Sequence, residues 1–454
     1  MIENENHFIV NEPRENWMIS DLHIHSRFSQ ACSKNITIPN LVKWGKIKGI
    51  DLIGTGDFSH PVWLQEIKDN LKDNGKGFYI YEDKEKGESF NFVITGEISF
   101  IYTQEKGRRI HLVLLVPSIE IAEKINEYLD TLGRRDYDGR PIFGISCRDF
   151  VKKIFDISED IEIIPAHIWT PWFGLFGSMS GFDSIKEAFQ DKADKIHAIE
   201  TGISSDPEMN WRIKELVDNN ISIVSFSDSH SFWPHRLGRE ATIFRKTDSY
   251  KELIRQIREN DFIGTIEADP NYGKYHWDGH RACDFVSEPK KTRELGGICP
   301  KCGRVLTKGV EYRVEEIAEN LSYNLENKPE NAKPYFKILP LHELISFVVG
   351  VSMQSKKVWE IYNKLISDFG NEFRVLLDVS EDEIYNSIKN KALAEFIIKN
   401  RQGKVKVKPG YDGVYGEPVL DDIKEEDSKK REVSQESFSN KGNESLREKQ
   451  KTLF

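Results

Sequence analysis

The sequence predicts an α/β fold: a seven-stranded β/α barrel, then a small cysteine-bearing unit, a helical domain and a disordered tail. Three observations predict it. From the N-terminus to about Asp269, short β-branched runs alternate with helix-like segments, the pattern of a largely parallel sheet. One run after another ends in a histidine or a carboxylate, as at the C-terminal rim of a β/α barrel. Beyond residue 270 the composition turns basic and cysteine-bearing, then helical in period, then polar with almost no large apolar residues.

The runs justify themselves in order. The first, 17–22, delivers His23 and His25 at i and i+2, which places both imidazoles on one side of a strand, able to share a metal ion. Residues 51–56 lead to Asp57 and His60, and 92–96 lead to Glu97. His111 lies within the run 110–116, and 161–166 ends at His167. The run 196–199 ends at Glu200, and 221–227 ends at Asp228 and His230. His197 sits inside its run and reads as packed or supporting, whereas His7 and His342 fall outside the pattern.

Composition bounds the function. A chain of 454 residues with 38% apolar and 30% charged residues implies two to four globular domains with some disordered sequence. No stretch is apolar enough for a bilayer, and the polar, acidic N-terminus is unlike a signal peptide, so a cytoplasmic location is expected. Five cysteines, three of them between Cys283 and Cys302, argue for metal rather than disulfides. The net charge of -10 does not itself point to nucleic acid, so local charge carries that argument.

Imidazoles mixed with carboxylates suit Zn²⁺, Mn²⁺ or Fe²⁺ better than an all-oxygen Mg²⁺ cage. Two such ions activate water and stabilise charge on phosphoryl oxygens without a side-chain nucleophile. Glu200 is a candidate for orienting water or a ligand histidine, and Arg27, near the first histidine pair, for taking a phosphate oxygen. After His167 comes an aromatic, glycine-rich loop with Trp169, Trp172 and Phe173. It is expected to offer flat faces to a ligand such as an extruded nucleobase, with the segment 231–238 as an opposite wall.

The next unit, 271–313, has zinc-ribbon spacing: His280 and Cys283, fifteen intervening residues, then Cys299 and Cys302, with His276 as the spare ligand. Four such ligands predict one closed, structural zinc site. Arg281, Lys290, Lys291, Arg293, Lys301, Arg304, Lys308 and Arg313 make it locally basic, which suits a phosphate backbone. Residues 314–420 read as a helical DNA-contacting domain broken at Gly350 and Gly370, closing with the alternating Lys404, Lys406 and Lys408.

The motifs His23-Ile-His25, Asp57-Phe-Ser-His60, Gly96-Glu97, His111, Pro-Ala-His167 and Ser-Asp228-Ser-His230 resemble, in order, those of the PHP (polymerase and histidinol phosphatase) family across about 60% of the chain. The resemblance implies a distorted TIM-like barrel over 1–270 holding two or three divalent metals (Zn, Mn or Mg) for phosphoester hydrolysis. By it His23, His25, Glu97 and Asp228 hold one ion, with Glu97 bridging to a second at His111 and His167. His60 and His230 complete a third, with Asp57 also counted among the metal-binding residues. No further histidine or acid follows directly after His25, and Phe58-Ser59 separates Asp57 from His60, so a binuclear centre is expected.

The barrel joined to a ribbon and a helical region resembles the endonuclease Q family. That resemblance implies a DNA repair endonuclease nicking 5′ of a deaminated base, uracil or hypoxanthine, or of an abasic site, with Asp228, Glu97 and Glu200 at the chemistry. The tail, 421–454, is expected to be disordered and ends Gln450-Lys-Thr-Leu453-Phe454, which resembles a peptide that docks on the DNA sliding clamp. Two alternatives remain: a small-molecule phosphatase of the histidinol phosphate type, and a non-catalytic DNA- or clamp-binding protein.

Overall fold

The computed structural model describes residues 12–83, 85–319, 324 and 326–419. The clamp-like peptide with Gln450, Leu453 and Phe454, and the rest of the expected tail, lie outside the described residues.

Each predicted run is a strand: β1 (Trp17–Asp21), β2 (Leu52–Gly54), β3 (Glu88–Gln104), β4 (Lys106–Val116), β5 (Glu162–Pro165), β6 (Ala198–Glu200) and β7 (Ser222–Val224). β1, β2 and β3 pair in parallel, and so do β6 and β7. The expectation of a largely parallel sheet needs correction in the middle, where β4 runs antiparallel to both β3 and β5. The reason is local: β3 and β4 are joined through Glu105 alone, in the left-handed region at φ 62°, and so short a connection permits only a hairpin. On the other side of β1 lie the antiparallel strands β8 (Ala241–Arg245) and β9 (Gly264–Glu267), and β10 (Tyr335–Lys337) returns from the C-terminal part of the chain to pair with β9.

No sheet closes on itself among the described residues: eleven strands form one sheet, and β6 and β7 form a separate pair. The ends nevertheless meet. Ile168 N–H donates to the Glu200 carbonyl at 3.0 Å, and Ile24 and Ser229 form an isolated bridge, so the chain ends after β1, β5, β6 and β7 lie side by side.

Helices cover the strands. The helix Ile38–Lys48 begins at the Thr37 cap and ends at Gly49, whose φ of 93° suits glycine; a Cβ there would lie 2.5 Å from Asn371 Oδ1. The C-terminal helices Leu341–Val349, Lys356–Phe369, Glu372–Leu377, Glu381–Ile388 and Lys391–Arg401 bury Tyr362, Leu365, Phe373, Leu376, Phe396 and Ile397 together. Gly350 and Gly370 end two of them with positive φ.

A buried ion pair fastens this bundle to the rest. Lys48 Nζ donates to Glu372 Oε1 at 2.6 Å and to the Pro234 carbonyl at 2.8 Å, while Glu372 also accepts from Leu341 N and Tyr362 Oη. Removing one buried partner strands the other charge, so Lys48→Met is expected to cost about 3–5 kcal/mol. Lys48→Met with Glu372→Leu is expected to recover part of that in a urea double-mutant cycle; additive losses would contradict the pairing.

A second buried acid behaves differently. Glu267 accepts hydrogen bonds from Thr265, Thr201 and Ser225 at 2.6, 2.9 and 3.0 Å. Burial pushes its carboxyl up to about 8 from an ordinary 4.5, against the pull of those hydroxyls. Its folded-state pKa is raised, so its contribution to stability is full below pH 4.5 and is lost as pH rises through about 8. Glu267→Gln should remove this loss, which grows by up to about 1.4 kcal/mol per pH unit. Urea midpoints at pH 5 and pH 8.5 check it: the variant's advantage must appear at the higher pH, and an equal difference at both would contradict it.

Candidate metal centre and active-site cavity

The strand ends build the centre. His23 and His25 leave β1 on the same side, their ring centroids 5.3 Å apart. Glu97 lies within β3, His111 within β4, and His167 follows β5. Asp228 and His230 follow β7. Their donor atoms fall into three overlapping groups, each within 4.8 Å: His23, His25 and Glu97; Glu97, His111 and His167; and His25, Asp228 and His230.

Glu97 joins them. Its Oε1 lies 2.7 Å from His111 Nδ1 and 3.2 Å from His167 Nε2, and its Oε2 lies 3.4 Å from His25 Nε2. Asp228 Oδ1 is 3.0 Å from His25 Nε2.

The outer contacts fix which nitrogen faces inward. Both Glu200 oxygens approach His23 Nδ1, at 2.9 and 3.0 Å, and Glu200 Oε2 accepts from His167 N–H at 2.7 Å. Asp57 Oδ1 takes His25 Nδ1 at 2.9 Å, and Thr170 Oγ1 takes His167 Nδ1 at 2.9 Å. Each leaves an Nε2 lone pair aimed at the cluster, as second partners do around metal-binding histidines. His23 Nε2 is buried and makes no hydrogen bond. A buried, unpartnered nitrogen among carboxylates is what a metal ligand requires, so these residues fit divalent ions.

The electrostatics agree. Burial opposes ionisation of Glu97, but His111 and Arg140 outweigh it and hold the carboxylate well below its usual range. Asp228 is likewise held low against burial, by His25, His230 and His23. Burial lowers His111 to about 4, keeping its ring neutral at physiological pH. Asp57, His167 and Asp228 also occupy the left-handed region, at φ 46°, 31° and 47°. Such conformations cost about 1 kcal/mol or more each and persist where the surrounding structure over-determines them.

Several expectations change. Asp57 joins none of the three groups; it accepts from Ser26 N and Ser29 Oγ and orients His25. His60 is apart from the cluster, stacked on Phe28 at 4.2 Å with Nε2 on the Asp136 carbonyl. Arg27 does not face the cluster: Glu66 holds it with two hydrogen bonds. Trp169 is fully buried and donates to Asn210, so it offers no face to a ligand. Trp172, 44% exposed, and Phe173, packed on His111 at 4.3 Å, do line the cavity. Trp233 packs against Trp44, Phe232 and Trp359 at the seam with the C-terminal helices.

The cavity above the cluster has a volume of about 470 Å³. His111, His167, Asp228, Arg140 and Thr170 give it a polar floor, and Tyr137, Ile142, Trp172, Phe173 and Tyr275 an apolar rim. Sequence reasoning missed Arg140, which donates to Glu97 Oε2 at 3.2 Å, and also Thr170 and Tyr275. The one local signal for the Arg140 loop is Gly139, where a Cβ would lie 2.2 Å from Asp57 Oδ2.

His280, Cys283, Cys299 and Cys302 converge separately, with His280 Nδ1 3.3 Å from Cys302 Sγ and all donors within 4.8 Å. The strands Asp278–His280 and Phe285–Ser287 carry one half. The other half is a knuckle closed by Cys299 N to the Arg304 carbonyl and Gly303 N to the Cys299 carbonyl. His276 is not in the group. Much of the expected basic surface is paired: Lys291 with Glu294, Arg293 with Glu315 and Lys308 with Glu316. Arg313 is buried, donating to the carbonyls of Phe176 and Phe182 and so bracing the aromatic loop.

Known proteins resemble this chain in sequence and fold. Residues 340–404 match the family model described as the MJ0043 C-terminal domain. The uncharacterized protein MJ0043 of Methanocaldococcus jannaschii is 33% identical over 291 residues, 63% of this chain; the chain spans about a third, 34%, of that relative's length. The uncharacterized protein YqxK of Bacillus subtilis is 27% identical over 414 residues, covering 87% of this chain and 98% of YqxK. Among solved structures, the lesion-specific endonuclease PfuEndoQ of Pyrococcus furiosus superposes with a TM-score of 0.79 at 31% identity, covering 90% of this chain and 98% of its own. Endonuclease Q bound to a 27-mer duplex with an abasic lesion at its active site gives 0.78 at 31% identity, covering 90% of this chain and 99% of that one.

Fold, clustered ligands and these relatives together define a metal-dependent endonuclease. The chain belongs to the endonuclease Q family.

Proposed function

We propose that this protein is a DNA repair endonuclease that hydrolyses the phosphodiester 5′ of an abasic site or of a deaminated base, uracil or hypoxanthine. The observation that carries the reading is the match over 90% of the chain to an endonuclease Q holding an abasic duplex at its active site. The cavity supports it: a lesion nucleotide turned out of the duplex would place its phosphate over the polar floor while Trp172 and Phe173 face its sugar or base. A mispaired or missing base costs less to extrude, which favours lesions over intact pairs.

His23, His25, Asp228 and Glu97 would hold one divalent ion, and Glu97, His111 and His167 a second; Zn, Mn or Mg are the candidates. Each imidazole has one inward lone pair, so His25 serves one ion only, which favours two ions over three. When bound, such ions lower the pKa of water and neutralise charge on phosphoryl oxygens. The chain's own residues do the rest. Glu200 and Asp57 keep the His23 and His25 protons on Nδ1, Thr170 holds the His167 ring, and the apolar rim limits competing water. In the hydrolysis water's oxygen bonds to phosphorus as one P–O bond to sugar breaks, and water's proton ends on that sugar oxygen.

The four-ligand Cys/His group would hold a structural zinc, and the ribbon with the helices of 314–420 would grip the duplex beside the barrel-like unit. We place the enzyme at the nucleoid in the cytoplasm, with the peptide ending in Leu453-Phe454 docking on the sliding clamp. Among the described residues no helix is long and apolar enough to cross a membrane.

Metal-loaded protein offered end-labelled duplexes with one uracil, one hypoxanthine, one abasic site or none tests the reading, with histidinol phosphate as a further substrate. A single cut on the 5′ side of the lesion is expected. Phosphate release from histidinol phosphate without cutting would move the assignment to a small-molecule phosphatase, and inactivity on every substrate to a binding protein.

A further inference from the structure

An anionic substrate entering a cavity whose floor carries the Asp228 carboxylate is favoured by a fixed positive side chain facing it, alongside the charge that bound ions would supply. Arg27, the arginine nearest the first histidine pair in sequence, is held by Glu66 instead. Among the described residues lining the cavity, Arg140 is the only arginine or lysine. We propose that Arg140 contacts the scissile phosphodiester directly, donating to one non-bridging oxygen; this rests on the endonuclease reading and assigns a residue of that same site.

The geometry favours a substrate contact over a purely internal ion pair. A guanidinium carries five N–H donors in a planar fork, and Arg140 Nη1 spends one on Glu97 Oε2 at 3.2 Å. Glu97 already meets His111, His167 and His25. The side chain is 21% exposed, and that exposure opens into the cavity beside Asp228. Its position is built, not incidental: Asp138 Oδ1 accepts from Arg140 N–H at 3.0 Å, and Gly139 allows the loop to close on Asp57. Arg140 thus bridges ligand carboxylate and open cavity, where a phosphate oxygen meets both the guanidinium fork and the metal-binding face.

The test uses the full-length, metal-loaded protein and an abasic duplex whose scissile phosphate carries sulfur at one or the other non-bridging position. Arg140→Gln is expected to lower kcat by about a hundredfold or more with bound metal unchanged, and Arg140→Lys to restore part of it. A role confined to propping Glu97 would leave the wild-type rate ratio between the two sulfur diastereomers in place. A direct contact predicts that the ratio shifts at least about fivefold in Arg140→Gln, because the hydrogen bond that senses that oxygen is gone. Wild-type cutting with an unchanged kcat or an unchanged ratio in the variant overturns the assignment while the endonuclease reading stands. A wild type that cuts no lesion duplex overturns both.

Discussion

Glu97→Gln is expected to reduce phosphodiester cutting by about a thousandfold or more while the protein stays folded. Among the described residues no other belongs to both the His23–His25 group and the His111–His167 group. Its two oxygens face different histidines, Oε1 toward His111 and His167 and Oε2 toward His25 and Arg140. Glutamine keeps the volume but turns one acceptor into a donor and removes the charge, so an N–H group faces either the Arg140 guanidinium or the imidazole nitrogens that would hold an ion. Steady-state cutting together with bound-metal analysis checks this. Loss of activity with fewer tightly bound ions is the expected pair of results, and near-normal cutting by the variant would contradict the bridging role.

Cys299→Ser is expected to unfold the ribbon while leaving the main sheet intact. Between 278 and 308 the buried apolar side chains are few, Pro289, Cys299 and Leu306, far too few for an independent core. Contacts to the C-terminal loop help, with Asp412 accepting from Arg281 N and Thr307 Oγ1 and Tyr411 donating to Asp284, yet these are hydrogen bonds at a surface. Zinc supplies about 10–16 kcal/mol in zinc-finger peptides, so loss of a zinc held here would dominate everything else holding the unit. Limited proteolysis should therefore cut the variant within 278–308, with one fewer zinc per chain and weaker duplex binding. A variant as resistant as wild type, with its zinc retained, would contradict a structural site.

How much of this was legible depended on whether periodicity or tertiary approach sets a residue's place. The His23–His25 pair follows from strand alternation, and the places of His167 and Asp228 just past their strands follow from where each apolar run stops, whereas Glu97 sits mid-strand because β3 runs on to Gln104. The Cys/His spacing and the glycine-terminated C-terminal helices are local in the same sense. Asp57 and His60 were not separable from ligands by residue type: the 46° φ of Asp57 turns its carboxylate onto His25 and Ser26, and the turn that follows carries His60 onto Phe28. Arg140 approaches from a loop 43 residues beyond Glu97. Trp169 turns inward because its indole N–H finds Asn210, 41 residues away. Nor does an apolar run show its pairing partner, so the antiparallel β4 and the unclosed sheet appear only in the register.

The most direct test of the account is a metal titration. Protein stripped of its ions and returned to Mn²⁺ in steps would be assayed at each step for cutting of an abasic duplex. The account predicts no cutting by the stripped protein and saturable recovery near two ions per chain beyond the ribbon's zinc, with no recovery in Glu97→Gln. Cutting at the full rate by metal-free protein in the presence of chelator would contradict it.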